Sequence, residues 1–266
     1  MNERAAPSPF ASKYGPWAVV AGASEGLGAA FAAALAARGL HLLLLARREA
    51  HLLAVADRLR ATAKVEVRTA MCDLARPDLP DALAAWTADI DVGLAVYNAA
   101  YAPVGDLASQ SVNDLLHVVD VNVRGPLVFA RTLAPKMVER GRGGVVLMSS
   151  LAGYQGAPRI ATYAASKAFN IVLGESLWRE LRPHGVDVVV PTAGAIRTPG
   201  YAAAAGRDAP GTLDADVVAN MALDALGRGP VVVPGAVNRV ARFVLSRLLP
   251  RRTAIDIFAR STKELS

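Results

Sequence analysis

Among its 266 residues the chain has one cysteine, Cys72, so an internal disulfide is excluded. Its four histidines are scattered without metal-ligand spacing, which argues against a structural metal. No stretch approaches the uninterrupted apolar span that a bilayer demands, although hydrophobic residues make up 53% of the chain. Much of that share is alanine in runs such as AAFAAALAA, and the richest run, LHLLLL, is only strand-sized. The start, MNERAAPSPFASKYGPW, lacks the apolar centre of a signal peptide, so residues 1–15 are expected to be a loose leader on a cytoplasmic protein. No internal repeat or low-complexity linker breaks the chain, which predicts one domain over residues 1–266. The net charge of +6 reads as arginine dispersed through helical segments without aromatic interleaving, a pattern that argues against nucleic-acid binding.

What is present is an alternation of apolar strand-sized runs and helical patterns. Strands are expected at residues 17–21, 40–45, 64–71, 91–97, 145–148, 186–190 and 230–233, with helices between them. Such alternation predicts an α/β fold, a doubly wound parallel sheet of about seven strands with helices on both faces. The first strand runs into GASEGLG and then an Ala-rich helix. Gly22, Gly26 and Gly28 permit a tight turn and the close approach of a pyrophosphate to a helix N-terminus. The second strand ends in Ala46-Arg47-Arg48, with no carboxylate at Ala46 or the two positions after it. A carboxylate there would suit the ribose of NAD, whereas Arg47 or Arg48 suits the 2′-phosphate of NADP, and NADP(H) is the expected cofactor.

Asp73, after the third strand, is a candidate for the adenine side of a nucleotide pocket, and Cys72 reads as packing. Asn98-Ala99-Ala100 follows the fourth strand with the small residues a ligand crevice needs. Asn122 sits in a helix with Gly125 and Pro126 close behind, which suggests a kink where its side chain or a freed carbonyl could bind water. The fifth strand ends in two hydroxyls, Ser149 and Ser150, which the pattern alone does not separate. In the next helix Tyr163 and Lys167 lie four residues apart and share a face. A phenol titrates near pH 10 in water, and a neighbouring ammonium can lower that value, so the pair suits proton transfer. Residues 199–213 are small and Gly-rich, as a substrate lid would be, with Arg207 and Asp208 their charged anchors. The tail, residues 236–266, places apolar residues and Arg at helical spacing. It could pack on the domain, line the substrate entrance or touch an anionic membrane.

Together these motifs resemble the short-chain dehydrogenase/reductase family from about Trp17 to Val233. In that family the catalytic Ser precedes the Tyr by 13 positions, which selects Ser150 ahead of Tyr163. The resemblance implies a catalytic set of Asn122, Ser150, Tyr163 and Lys167, with Asn122 positioning a proton-relay water. It implies cofactor contacts at Gly22, Ser24, Gly26, Leu27, Gly28, Arg47, Asp73, Leu74, Asn98, Ala99, Tyr163, Lys167, Gly194, Ile196 and Thr198. The chain departs from the family pattern at Ala21, Ala100 and Ala193, where Thr, Gly and Pro are usual. LLLLARRE and the Arg-rich tail are similar to acyl- and steroid-type reductases. The implied activity is hydride transfer between NADP(H) and a carbonyl or secondary alcohol, with a non-catalytic NADP-binding sensor or scaffold as the alternative. The implied partners are a small apolar substrate and further copies in a homodimer or homotetramer, through the apolar face Phe169, Val172, Leu173, Leu177 and Trp178.

Overall fold

In the computed structural model, which describes residues 8–204 and 208–263, the expected strands line up side by side and all run parallel. Along the chain they are β1 (Trp17–Ala21), β2 (His41–Ala46), β3 (Val67–Met71), β4 (Val92–Tyr97), β5 (Gly143–Leu147), β6 (Ser149–Ser150) and β7 (Val186–Ala193). A separate pair, β8 (Ile196–Arg197) and β9 (Leu213–Asp214), precedes the last sheet strand, β10 (Val231–Val232). The spatial order is β10-β7-β5-β4-β1-β2-β3, with short β6 also pairing β7. Strands β1, β4 and β5 are buried at every position, as expected of parallel strands covered on both faces.

The helices are α1 (Pro9–Tyr14), α2 (Gly26–Ala37), α3 (Glu49–Thr62), α4 (Leu79–Trp86), α5 (Val112–Val119), α6 (Gly125–Arg140), α7 (Ala161–Leu181), α8 (Pro199–Ala204), α9 (Ala215–Asp224), α10 (Ala236–Phe243) and α11 (Arg251–Lys263). On one face of the sheet α2, α3 and α9 build a core around Phe31, Leu35, Leu52 and Val218. On the other, α4, α6 and α7 cover Leu45, Val92 and Leu147 with Leu83, Phe129 and Leu133. Each fully buried side chain of this kind contributes about 1.5–3 kcal/mol, so the two cores set the sheet order firmly. Because β1 pairs β2 on one side and β4 on the other, a crevice opens at their carboxyl ends, where the strand order reverses.

Three expectations change. Residues 8–15 are no loose leader: Ser8 caps α1, Tyr14 is buried, and its hydroxyl donates to Asp187 Oδ2 at 2.6 Å on β7. The sequence hides this because the partners of α1 lie far along the chain. The apolar face read on α7 is mostly core, since Leu173, Leu177 and Trp178 pack against the cluster under the sheet while Val172 stays exposed. The segment read as a lid is tied down over its described part. Arg197 pairs with Asp208 at 2.7 Å and Asp214 at 2.8 Å, the Ala209 amide donates to the Tyr201 hydroxyl, and Asn238 holds the Gly211 carbonyl. Asp208 is therefore engaged within the protein, and Arg207 lies outside the described residues.

Candidate active site

The glycine turn sits where β1 delivers it, at the carboxyl edge of the sheet. Gly22 has φ +82°, and a Cβ on it would meet the Ala99 backbone at 2.7 Å. A Cβ on Gly28 would lie 1.9 Å from the Gly22 carbonyl oxygen, so only glycine lets α2 begin this close to the turn. Asn98 Nδ2 donates to that same carbonyl at 3.2 Å, which ties the end of β4 to the turn. The result is a cavity of about 530 Å³ lined by Gly22, Ser24, Gly26, Leu27, Arg47, Asp73, Leu74, Asn98, Ala99 and Thr198. Ten expected cofactor residues thus meet at one opening, spread over the ends of β1, β2, β3, β4 and β8.

This opening fits a phosphorylated dinucleotide. Its floor is bare backbone at a helix N-terminus, and cations stand on its rim. Arg47 reaches toward His117, with Nη1 and Nε2 3.4 Å apart. Arg48 turns the other way, onto Glu25 Oε1 at 2.6 Å and Ser24 Oγ at 3.3 Å. Glu25, Ala46, Arg48, Cys72, Ala100, Val121 and Gly200 also line the cavity, and of these Glu25 and Val121 carried no sequence signal. Burial pushes the Cys72 thiol up to about 11, which suits a packing role. Asp73 braces its own turn by accepting from the Ala75 amide at 3.0 Å. Gly194 and Ile196 stand apart from this cavity: Gly194 backs onto the Asn238 side chain, and Ile196 pairs with Leu213.

Beside the cavity, β6 carries Ser150 to the side of Tyr163. Ser149 and Ser150 point to opposite sides of their strand, as successive residues must. Ser149 is buried and donates to the Lys167 carbonyl at 2.7 Å, fastening β6 to α7. Ser150 accepts from the Ala152 amide at 3.2 Å and lies near enough to the Tyr163 phenol to draw its pKa down. One turn further along α7, Lys167 is 3% exposed; its Nζ donates to the Met148 carbonyl at 3.0 Å and lies 5.4 Å from the centre of the Tyr163 ring. Burial pulls this ammonium down to about 8. Burial also raises the Tyr163 phenol above its ordinary value, and the Ser150 hydrogen bond works in the opposite direction. Burial is the larger of the two effects on the phenol.

Asn122 occupies a π-helical segment, Asp120–Arg124, between α5 and α6. The kink expected from Gly125 and Pro126 takes this wider form, and the buried Tyr97 hydroxyl donates to the Val121 carbonyl at 2.5 Å. The Asn122 side chain accepts from the Tyr101 amide at 2.8 Å and donates to the Tyr101 carbonyl at 2.8 Å and to Ser166 Oγ at 3.1 Å. Its side chain thus braces the loop after β4. Sequence reading missed the group that closes the site on its apolar side: Val104, Tyr163 and Phe258 pack on Ala152, Ala157, Ile160 and Ala164. Phe258 comes from α11, and its helical spacing in the tail was the only signal.

A nucleotide-type crevice with a Ser, Tyr and Lys beside it defines a dinucleotide-dependent oxidoreductase fold. The family model for short chain dehydrogenases matches residues 16–207, and the chain belongs to that family. It is 38% identical to a very-long-chain 3-oxoacyl-CoA reductase of Podospora anserina over 182 residues, which is 66% of this chain and 53% of that relative. The chain thus spans about half the length of the 3-oxoacyl-CoA reductases it matches. With a 7beta-hydroxysteroid dehydrogenase of Clostridium sardiniense it shares 32% identity over 71% of this chain and 73% of the other. Among solved structures, one from a study of 7beta-hydroxysteroid dehydrogenase stereoselectivity superposes with a TM-score of 0.87 at 27% identity, over 94% of this chain and 98% of that one. A short-chain dehydrogenase from Sphingobium yanoikuyae in complex with NADPH gives 0.78 at 31% identity, over 86% and 91%.

Proposed function

We propose that the protein reduces a bulky apolar ketone, or oxidises the matching secondary alcohol, with NADP(H). The observation that carries the reading is the buried Lys167 ammonium 5.4 Å from the centre of the Tyr163 ring, with Ser150 near enough to lower the phenol's pKa. The bound nicotinamide dinucleotide supplies or accepts the hydride. Gly22, Ser24, Gly26, Leu27 and Gly28 hold its phosphates at the N-terminus of α2, and Arg47 and Arg48 take the 2′-phosphate. Ser150 orients the substrate oxygen, and Tyr163 gives it a proton. Lys167 stabilises the phenolate as it forms, because its charge lies against the ring. Asn122 is a positioning residue that holds the loop at Tyr101. The apolar wall of Val104, Ile160 and Phe258 favours a substrate with little polarity near its carbonyl, in keeping with the steroid and 3-oxoacyl relatives. Of the α7 face read for a second copy, Val172 stays exposed, and Val112, Leu116 and Leu127 are exposed on α5 and α6; these are the apolar side chains open to such a contact.

NADPH oxidation over a panel of steroid ketones and 3-oxoacyl thioesters tests the activity. Tyr163→Phe is expected to lower turnover by at least about 100-fold with NADPH affinity nearly unchanged; near-normal turnover would refute the assignment. Tight NADPH binding with no turnover anywhere on the panel would favour a sensor or scaffold. For the cofactor, the double variant Arg47→Ala, Arg48→Ala should weaken NADPH roughly 10- to 100-fold, the worth of charge-assisted contacts, and leave NADH nearly unchanged. An equal loss for both cofactors in isothermal titration would remove the 2′-phosphate from the account.

A further inference from the structure

The net charge of +6 is concentrated rather than dispersed. Residues 236–262 hold six arginines against one carboxylate, Asp256, so the last two helices carry nearly all of the excess. Elsewhere Arg68, Arg76, Arg124, Arg140 and Arg197 are held by carboxylates, and over residues 1–235 basic and acidic side chains nearly balance. Among the described residues no ion pair engages Arg239, Arg247, Arg252 or Arg260. The same stretch exposes apolar side chains: on α10 Val237 is 56%, Val240 63% and Phe243 58% open to solvent, and Leu248 in the turn after it and Ile257 on α11 are exposed as well. Val237, Val240 and Phe243 recur every three residues and so share the outer side of α10. The inner side is occupied. Asn238 is buried there, Arg242 stacks 4.6 Å from the centre of the Tyr154 ring, and Arg251 Nη1 donates to the Tyr154 carbonyl at 2.8 Å.

We propose that the outer face of α10 and α11 docks on an anionic lipid surface. Apolar side chains flanked by unpaired arginines are the composition of a helix that lies in a bilayer interface, with long cationic side chains reaching the headgroups while the apolar stripe sinks below them. A second copy is the poorer occupant, because it would bring the same unpaired arginines against these. No helix among the described residues is long and apolar enough to cross a membrane, so the contact is peripheral. Since Arg242 and Arg251 clasp Tyr154, in the turn that follows Ser150, docking would hold the mouth of the site at the lipid surface. An apolar ketone could then reach the site from the lipid; that consequence rests on the proposed oxidoreductase reading, whereas docking itself does not.

The test is sedimentation of the full chain with vesicles of phosphatidylcholine, with and without phosphatidylglycerol. Binding is expected to be at least about tenfold stronger with the anionic lipid, from several arginines near its surface, and to weaken with salt. Val240→Asp with Phe243→Asp should abolish pelleting while circular dichroism and turnover of a water-soluble ketone stay as in the parent. Should that variant fold poorly, Arg247→Glu with Arg252→Glu must give the same loss. Equal partitioning to neutral and anionic vesicles, or no pelleting at all, overturns the proposal. So does a dimer, seen by light scattering, that dissociates in the double variant, which would assign the face to a second copy. A parent that pellets yet turns over no ketone leaves docking intact and counts against the catalytic reading alone.

Discussion

Lys167 shows how one side chain couples chemistry to stability. Its ammonium is buried, with the Met148 carbonyl as its hydrogen-bond acceptor, and burial pulls its pKa down to about 8. A lowered folded pKa on a lysine is a cost: below pH 8 the charge is buried in full, and the cost is relieved as pH rises through that value and the folded lysine loses its proton. Lys167→Met should therefore raise stability near neutral pH by about 1–3 kcal/mol, after the Met148 carbonyl loses its donor. That gain should shrink toward about pH 9, where the wild type sheds its charge. Urea midpoints of both proteins at the two pH values measure it, and a gain independent of pH would place the effect in packing instead. The same variant should be inactive under the proposed mechanism, so stability and activity would move in opposite directions at one residue.

At the scale of elements, the π-helical segment between α5 and α6 is where local pattern and tertiary demand diverge. A straight helix through residues 111–123 satisfies the sequence periodicity, yet the wider turn is what Tyr97 and Tyr101 hold in place. Asn122→Leu keeps the volume nearly constant but orphans the Tyr101 amide and carbonyl, at a cost of about 2–4 kcal/mol. In a chain of this size that is a fall of roughly 5–15 °C in Tm. Calorimetry would show it; an unchanged Tm would mean that Tyr101 finds other partners and that Asn122 is no brace. The loop carrying Ser150 is held in a comparable way, by Ser149 on the Lys167 carbonyl and by Tyr154 under Arg242 and Arg251.

For the molecule as a whole, the first and last described helices, α1 and α11, close the fold. Tyr14 seals the lower edge of the sheet against Asp187, and Lys13 pairs with the same carboxylate. Tyr14→Ala should cost about 3–5 kcal/mol, the usual loss for a buried aromatic ring. Thermal unfolding decides it, because a loose leader would leave Tm unmoved. Toward the other end α11 lies over the loop before α7, where Phe258 and Tyr163 pack on the same small apolar cluster and Arg159 donates to the Thr262 carbonyl at 3.1 Å. The site is thus framed by segments on either side of the residues that carry its motifs.

Features set by local or periodic chemistry were legible in the sequence alone. Continuous apolar runs marked the buried parallel strands, the glycine spacing marked the turn before α2, and a four-residue step put Tyr163 and Lys167 on one face. Alternation of strand and helix, with the right-handed crossover it demands, was enough for the doubly wound sheet. Tertiary structure alone decided what depends on neighbours distant in sequence. Arg48 meets Glu25 because β1 and β2 are adjacent, the Asn122 side chain ties to Tyr101, burial raises the Tyr163 phenol, and Tyr14 finds Asp187 across the sheet. The physical reason is common to all four. Hydrogen-bond partners and desolvation are properties of the packed interior, and no pattern along the chain encodes which distant groups that interior will bring within 3 Å.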